Sequence, residues 1–225
     1  MSDDRRETGL SRTIDLRLNP EADLSDLLEH LRDGGLVAYP TETVYGLGSA
    51  CTTEGVHRVR MTKRREAKKP LIALVESVRQ VEGLRWTEQA RELARIFWPG
   101  AVTLVLDDPR GMFPPGVGIE GTVGVRMSSH PVPARLVSEL GGAVTSTSLN
   151  EPGSAPVSSG HEARAVLERL GVADVWVIDG GALPASGPST IVDCTKSEPV
   201  VLREGTVPIG RLRCAIPEIH GYTAK

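Results

Sequence analysis

Glycine and proline interrupt this chain 24 and 16 times in 225 residues. Such punctuation leaves room only for short helices and strands joined by tight turns. No run of about 18 apolar residues fits between the breaks. Aromatics make up 4% of the chain, so the core must be assembled from Val, Leu, Ile and Ala. With 40% hydrophobic and 24% charged residues, there is enough apolar material for a packed core, and the length suits one α/β domain.

Between the breaks, apolar residues recur with two periods. Leu24, Leu27, Leu28 and Leu31 repeat at helical spacing over residues 23–32, and Gly34 and Gly35 stop that helix. Residues 36–40 (LVAYP) are short, apolar and closed by proline, which reads as a buried strand feeding a loop. Thr53 is the expected cap of a helix carrying Val56, Val59 and Met61. Residues 71–75 read as a strand and 87–98 as a helix stopped by Pro99 and Gly100. Strands follow at 101–106 and 122–127, then a helix over 131–140, an extended segment at 143–148 and a helix over 161–170. The last strands are expected at 174–179, 189–194 and 199–203. This order predicts a mixed sheet with helices packed on it. Residues 1–12 and 209–225 are expected at the periphery of a single domain whose core spans about 24–208.

The formal net charge of −3 gives the molecule as a whole no electrostatic reason to coat nucleic acid or an anionic membrane. An anion site must therefore be local. Residues 57–69 carry Arg58, Arg60, Lys63, Arg64, Arg65, Lys68 and Lys69 against one acid, Glu66. That imbalance suits a polyphosphate, although a solvated helix face looks the same in sequence. The first residues are charged where a secretory signal needs an apolar run, which points to the cytoplasm. Cys51, Cys194 and Cys214 are widely spaced without a CxxC pair, and the five histidines lack HExxH spacing. Neither a disulfide framework nor a protein-bound metal is expected.

Three further stretches gather hydroxyls near glycine: 40–48 (PTETVYGLG), 146–153 (STSLNEPG), and 188–193 (PSTIVD) together with 202–205 (LREG). Each alone is ordinary turn chemistry. There is no GxxxxGK[ST], and no GxGxxG between a strand and a helix, so a nucleotide site would have to be built differently.

Taken in order, these stretches resemble the YrdC/Sua5 family of threonylcarbamoyl-AMP synthases. The matching residues are PTETVYGL at 40–47, KRR at 63–65 with Pro70 and Leu71, and FWPGAVTLVL at 97–106. TVGVR at 122–126, SLN at 148–150, GPSTIVD at 187–193 and LREG at 202–205 complete the series. The resemblance implies an α/β fold, a twisted mixed sheet with packed helices and a concave basic cavity. It also implies a nucleotidyltransferase that joins L-threonine, bicarbonate and ATP into threonylcarbamoyl-AMP, releasing pyrophosphate. The product would pass to a tRNA threonylcarbamoyl transfer complex that makes the t6A modification, so direct tRNA binding is expected to be weak or absent. Magnesium would accompany the ATP.

Carried over position by position, the resemblance assigns Lys63 and Arg65 to catalysis at the phosphates. Thr122, Ser148, Asn150 and Arg203 join them at the nucleotide, and Thr41, Arg126, Ser146 and Ser189 fall to threonine. The chain departs from some relatives at Glu66 in place of a proline, Leu74 in place of a histidine, Pro152–Gly153 in place of Ser-Gly, and Pro156. Two other readings stay open. One is a carbamoyl-adenylate enzyme of the same fold fed by carbamoyl phosphate; the other is a non-catalytic RNA-binding module using the basic segment, disfavoured by the scarcity of aromatics for stacking.

Overall fold

The computed structural model describes residues 12–66 and 69–221. Twelve strands and six α-helices are present among them. In chain order they are β1 (Arg12–Asp15), α1 (Ser25–Arg32), β2 (Leu36–Tyr39), β3 (Gly46–Gly48), α2 (Thr53–Thr62), β4 (Ile72–Leu74) and α3 (Glu88–Phe97). Then come β5 (Val102–Asp107), β6 (Gly118–Ile119), β7 (Thr122–Arg126), α4 (Pro131–Leu140), β8 (Val144–Ser148) and α5 (Gly160–Arg169). The chain closes with β9 (Val175–Asp179), β10 (Thr190–Asp193), β11 (Val200–Arg203), α6 (Ile209–Ala215) and β12 (His220–Gly221).

The strands form one mixed sheet in the order β1-β9-β2-β3-β8-β4-β7-β5-β10-β11-β12, with β6 beside β7. Side chains alternate across it, and each face meets a different surface. In β2, Leu36 and Ala38 enter a large core with residues of α2, α3, α5 and α6, whereas Val37 and Tyr39 enter a second core with α1 and α4. Burial on both sides explains why β2 reads as an unbroken apolar run. Farther along the sheet the second face loses its helices. Val123 and Val125 of β7 still point into the large core, but Thr122, Gly124 and Arg126 face a hollow.

Most expected elements lie within a residue or two of their observed bounds. The α2 cap is Thr52, whose Oγ1 accepts from the Gly55 N–H at 3.1 Å; Thr53 is already helical. Met61, expected on the apolar side of that helix, is 65% exposed, because the buried stripe of α2 ends at Val59.

The tail is also placed differently from expectation. α6 buries Leu212, and Ile216 and Ile219 follow it into the large core, while β12 pairs in parallel with β11. Residues 209–221 are thus part of the packing. At the other end, Arg12–Asp15 adds a strand parallel to β9. The rest of the expected N-terminal periphery, residues 1–11, lies outside the described residues, as do 222–225. No helix of the described residues is long and apolar enough to cross a membrane.

Candidate active site

The hollow is a cavity of about 320 Å³ over the uncovered face of β8, β7, β5, β10 and β11. Sheet register builds its floor. Leu74 pairs with Arg126 across β4 and β7, and Thr103, Ile191 and Arg203 are successive partners across β5, β10 and β11. Arg126 of β7 and Arg203 of β11 therefore rise on one face, with Thr103 of β5 and Ile191 of β10 between them. Ser146 and Ser148 of β8 contribute hydroxyls from the other side, and the turn after β2 closes one wall with Thr41, Thr43 and Val44. Arg65, Lys69, Arg126 and Arg203 line the cavity, and no acidic side chain does so among the described residues.

Arg126 is 4% exposed and its guanidinium forms no hydrogen bond among the described residues; its Nε is fully enclosed without a partner. Its nearest carboxylate is Glu42, at 3.8 Å from Nη1. A buried guanidinium with unused donors is costly unless something satisfies it. Arg203, by contrast, is held in place. Its Nε and Nη2 donate to the Ser189 carbonyl at 3.2 and 2.8 Å, and Nη2 also reaches Ser189 Oγ at 3.3 Å. Ser189 Oγ shares a hydrogen bond of 2.9 Å with Thr103 Oγ1. Gly205 permits this closure, since a Cβ there would stand 2.1 Å from the Pro188 carbonyl oxygen.

Arg65 clamps its own loop, donating to the carbonyls of Lys69 and Pro70 at 2.9 and 2.8 Å and to Thr147 Oγ1 at 3.2 Å. Burial, reinforced by the Arg60 charge, holds its pKa below the ordinary arginine value. Burial, then Arg126 and Arg65, does the same to Arg203. Cations that depress one another in this way are poised to accept anionic charge.

Thr41 lines the cavity, but its hydroxyl organises the turn. It donates to the Val44 carbonyl at 2.7 Å, accepts from the N–H groups of Thr43 and Val44, and meets Thr43 Oγ1 at 2.8 Å. Thr122 Oγ1 donates to the Ile119 carbonyl at 2.8 Å.

Eight of the ten expected site residues share the cavity: Thr41, Arg65, Thr122, Arg126, Ser146, Ser148, Ser189 and Arg203. Lys63 and Asn150 do not line it. They border a separate hollow of about 220 Å³, where Lys63 Nζ donates to the Asn150 carbonyl and Oδ1 at 2.6 and 2.8 Å. Burial, helped by Arg65, pushes the Lys63 pKa down to about 8.

The basic segment divides. Arg58 reaches Asp174 at 3.2 Å, Arg60 braces the loop by donating to the Glu66 carbonyl at 2.8 Å, and Lys68 lies outside the described residues. Lys69, named above only as part of the basic segment, lines the cavity, as do Thr103 and Thr147, which were assigned no site role. Thr103 carried a usable signal, as the one hydroxyl inside the apolar run 101–106. Leu74, at a position where some relatives carry histidine, is buried in the second core.

Comparison with known proteins bears on the family and the fold. The family model Sua5_yciO_yrdC, described as telomere recombination, matches residues 29–205. The threonylcarbamoyl-AMP synthase of Bacillus subtilis (strain 168) is 35% identical over 196 residues, covering 84% of this chain and 55% of that protein. The enzyme of the same name from Pyrococcus abyssi (strain GE5 / Orsay) is 38% identical over 200 residues, 86% of this chain and 57% of its own length. The chain thus spans little more than half of these two relatives. The crystal structure of P. abyssi Sua5 complexed with L-threonine superposes with a TM-score of 0.82 at 33% identity, covering 95% of this chain and 62% of that one. With the family model spanning residues 29–205 and the fold superposing on P. abyssi Sua5, this chain belongs to the Sua5/YciO/YrdC family.

Proposed function

We propose that the cavity makes threonylcarbamoyl-AMP from L-threonine, bicarbonate and ATP, releasing pyrophosphate and water. The observation that carries this reading is Arg126: a buried guanidinium, free of hydrogen bonds among the described residues, facing a cavity rimmed by hydroxyls. A carboxylate fits such a fork with two parallel hydrogen bonds. Threonine would place its carboxylate on Arg126, with Ser146, Ser189 and the Thr41 turn about it. The relative solved with L-threonine supports threonine as the amino acid.

The reaction brings anion to anion. Threonine's amine and bicarbonate give a carbamate, whose oxygen attacks the α-phosphorus of ATP as pyrophosphate leaves. Preorganised cations lower this repulsion and stabilise the charge gathering on the departing phosphates. Arg65 and Arg203 would do that work, and Lys63 would join them where the triphosphate reaches the hollow it borders. Thr122, Ser148 and Asn150 would direct hydrogen bonds to the nucleotide. No carboxylate lines the cavity and no cluster of three metal-ligating side chains exists among the described residues. The donor set does not fit a resident magnesium site, so magnesium enters as a partner of the ATP phosphates. The product would then serve a tRNA threonylcarbamoyl transfer complex.

Calorimetric titration with L-threonine tests the amino-acid half of the proposal. Removing Arg126 with Arg126→Ala should weaken binding by about 2 to 4 kcal/mol, or roughly 30- to 1,000-fold. Arg126→Lys should recover only part of the loss, because an ammonium lacks the planar fork. Unchanged threonine affinity in both variants would overturn the assignment.

A further inference from the structure

Glu42 follows Thr41 on the turn that closes the cavity, and the site assignments leave it without a role. Its Oε2 accepts a hydrogen bond from Ser128 Oγ, and that hydroxyl is itself oriented by the His130 N–H at 3.3 Å. The carboxylate is therefore anchored. Its other oxygen, Oε1, is enclosed without a hydrogen-bond partner and stands 3.8 Å from Arg126 Nη1. A bridge serving only the fold would close to roughly 2.7–2.9 Å. Here two opposite charges face each other at ion-pair distance, and each keeps an enclosed polar atom unsatisfied.

The surroundings give this pair a consequence. Arg65, Lys69, Arg126 and Arg203 would attract any small anion, including a phosphate group straying into the amino-acid subsite. An α-amino acid differs from such ions in carrying an ammonium beside its carboxylate. A negative charge fixed next to Arg126 repels a bare anion while attracting that ammonium, so discrimination comes from a repulsive as well as an attractive element.

We propose that Glu42 is a specificity-determining residue whose carboxylate, beside Arg126, selects a zwitterionic α-amino acid over a plain carboxylate. The proposal rests on the reading of Arg126 as the partner of the threonine carboxylate.

Calorimetry without ATP tests it, with L-threonine and its 2-hydroxy analogue, in which a hydroxyl replaces the ammonium, as probes. The wild-type chain is expected to prefer threonine. Glu42→Gln should shrink that preference by about tenfold, with the hydroxy acid held as well as before or better. A parallel loss of both ligands would mean that Glu42 merely shapes the site, and an unchanged ratio would mean that its charge is not felt; either overturns the proposal. So does a wild-type chain that holds the hydroxy acid as tightly as threonine, a result that needs no variant. A wild-type chain that binds neither probe removes the reading of Arg126 itself, and the proposal with it.

Discussion

On the proposed reading, Lys63 couples the site to pH. Its pKa is pushed down to about 8 from an ordinary 10.5, so between those values the folded chain binds fewer protons at this position than the unfolded chain. Stability from this group therefore rises as pH climbs through that window, and the cost of burying the charge is felt below it. Function runs the other way, because only the ammonium aids a phosphate. The kcat/KM for ATP should fall above about pH 8, and Lys63→Arg should move that limb upward; a limb unmoved in the variant would assign it elsewhere. At this scale the site was partly legible. Thr122 and Arg126 follow from strand alternation and motif order together, because residues two apart share a face. Glu42 was not legible as a separate element of the site. Its significance lies in a distance to Arg126, 84 positions away in the sequence, and no local pattern encodes that.

Helix caps illustrate why element boundaries were read less well than elements. Thr52 and Thr53 are chemically alike and adjacent, yet only Thr52 has the extended backbone that turns its hydroxyl toward the Gly55 N–H. Thr52→Ala should cost about 1 kcal/mol in a denaturant melt and Thr53→Ala much less; the reverse order would contradict the cap. β3 falls in a stretch that reads as turn chemistry, and Gly46 and Gly48 have low strand propensity. The close approach of neighbouring backbone overrides that preference. A Cβ on Gly48 would stand 1.9 Å from the Thr145 carbonyl oxygen, so the position requires glycine to let β3 sit against β8.

Among the described residues the molecule is a sheet covered by helices on one face and on part of the other, with the candidate cavity in the part left bare. The alternation of helical and strand-like segments conveyed the mixed sheet. It did not convey the role of the tail, whose apolar residues are too sparse to show a period until α6 is packed beside α3. Leu212→Ala should destabilise the fold by about 2 to 5 kcal/mol, as expected for a buried leucine; a melt unchanged from wild type would return the tail to the periphery. The proposed chemistry needs a cavity that unites two anionic reactants. Its most direct test is pyrophosphate release measured with each reactant omitted in turn. The prediction is release that requires ATP, L-threonine and bicarbonate together, and falls when Arg65 or Arg126 is replaced by alanine. Release that proceeds without threonine, or that requires carbamoyl phosphate in place of bicarbonate, would contradict it.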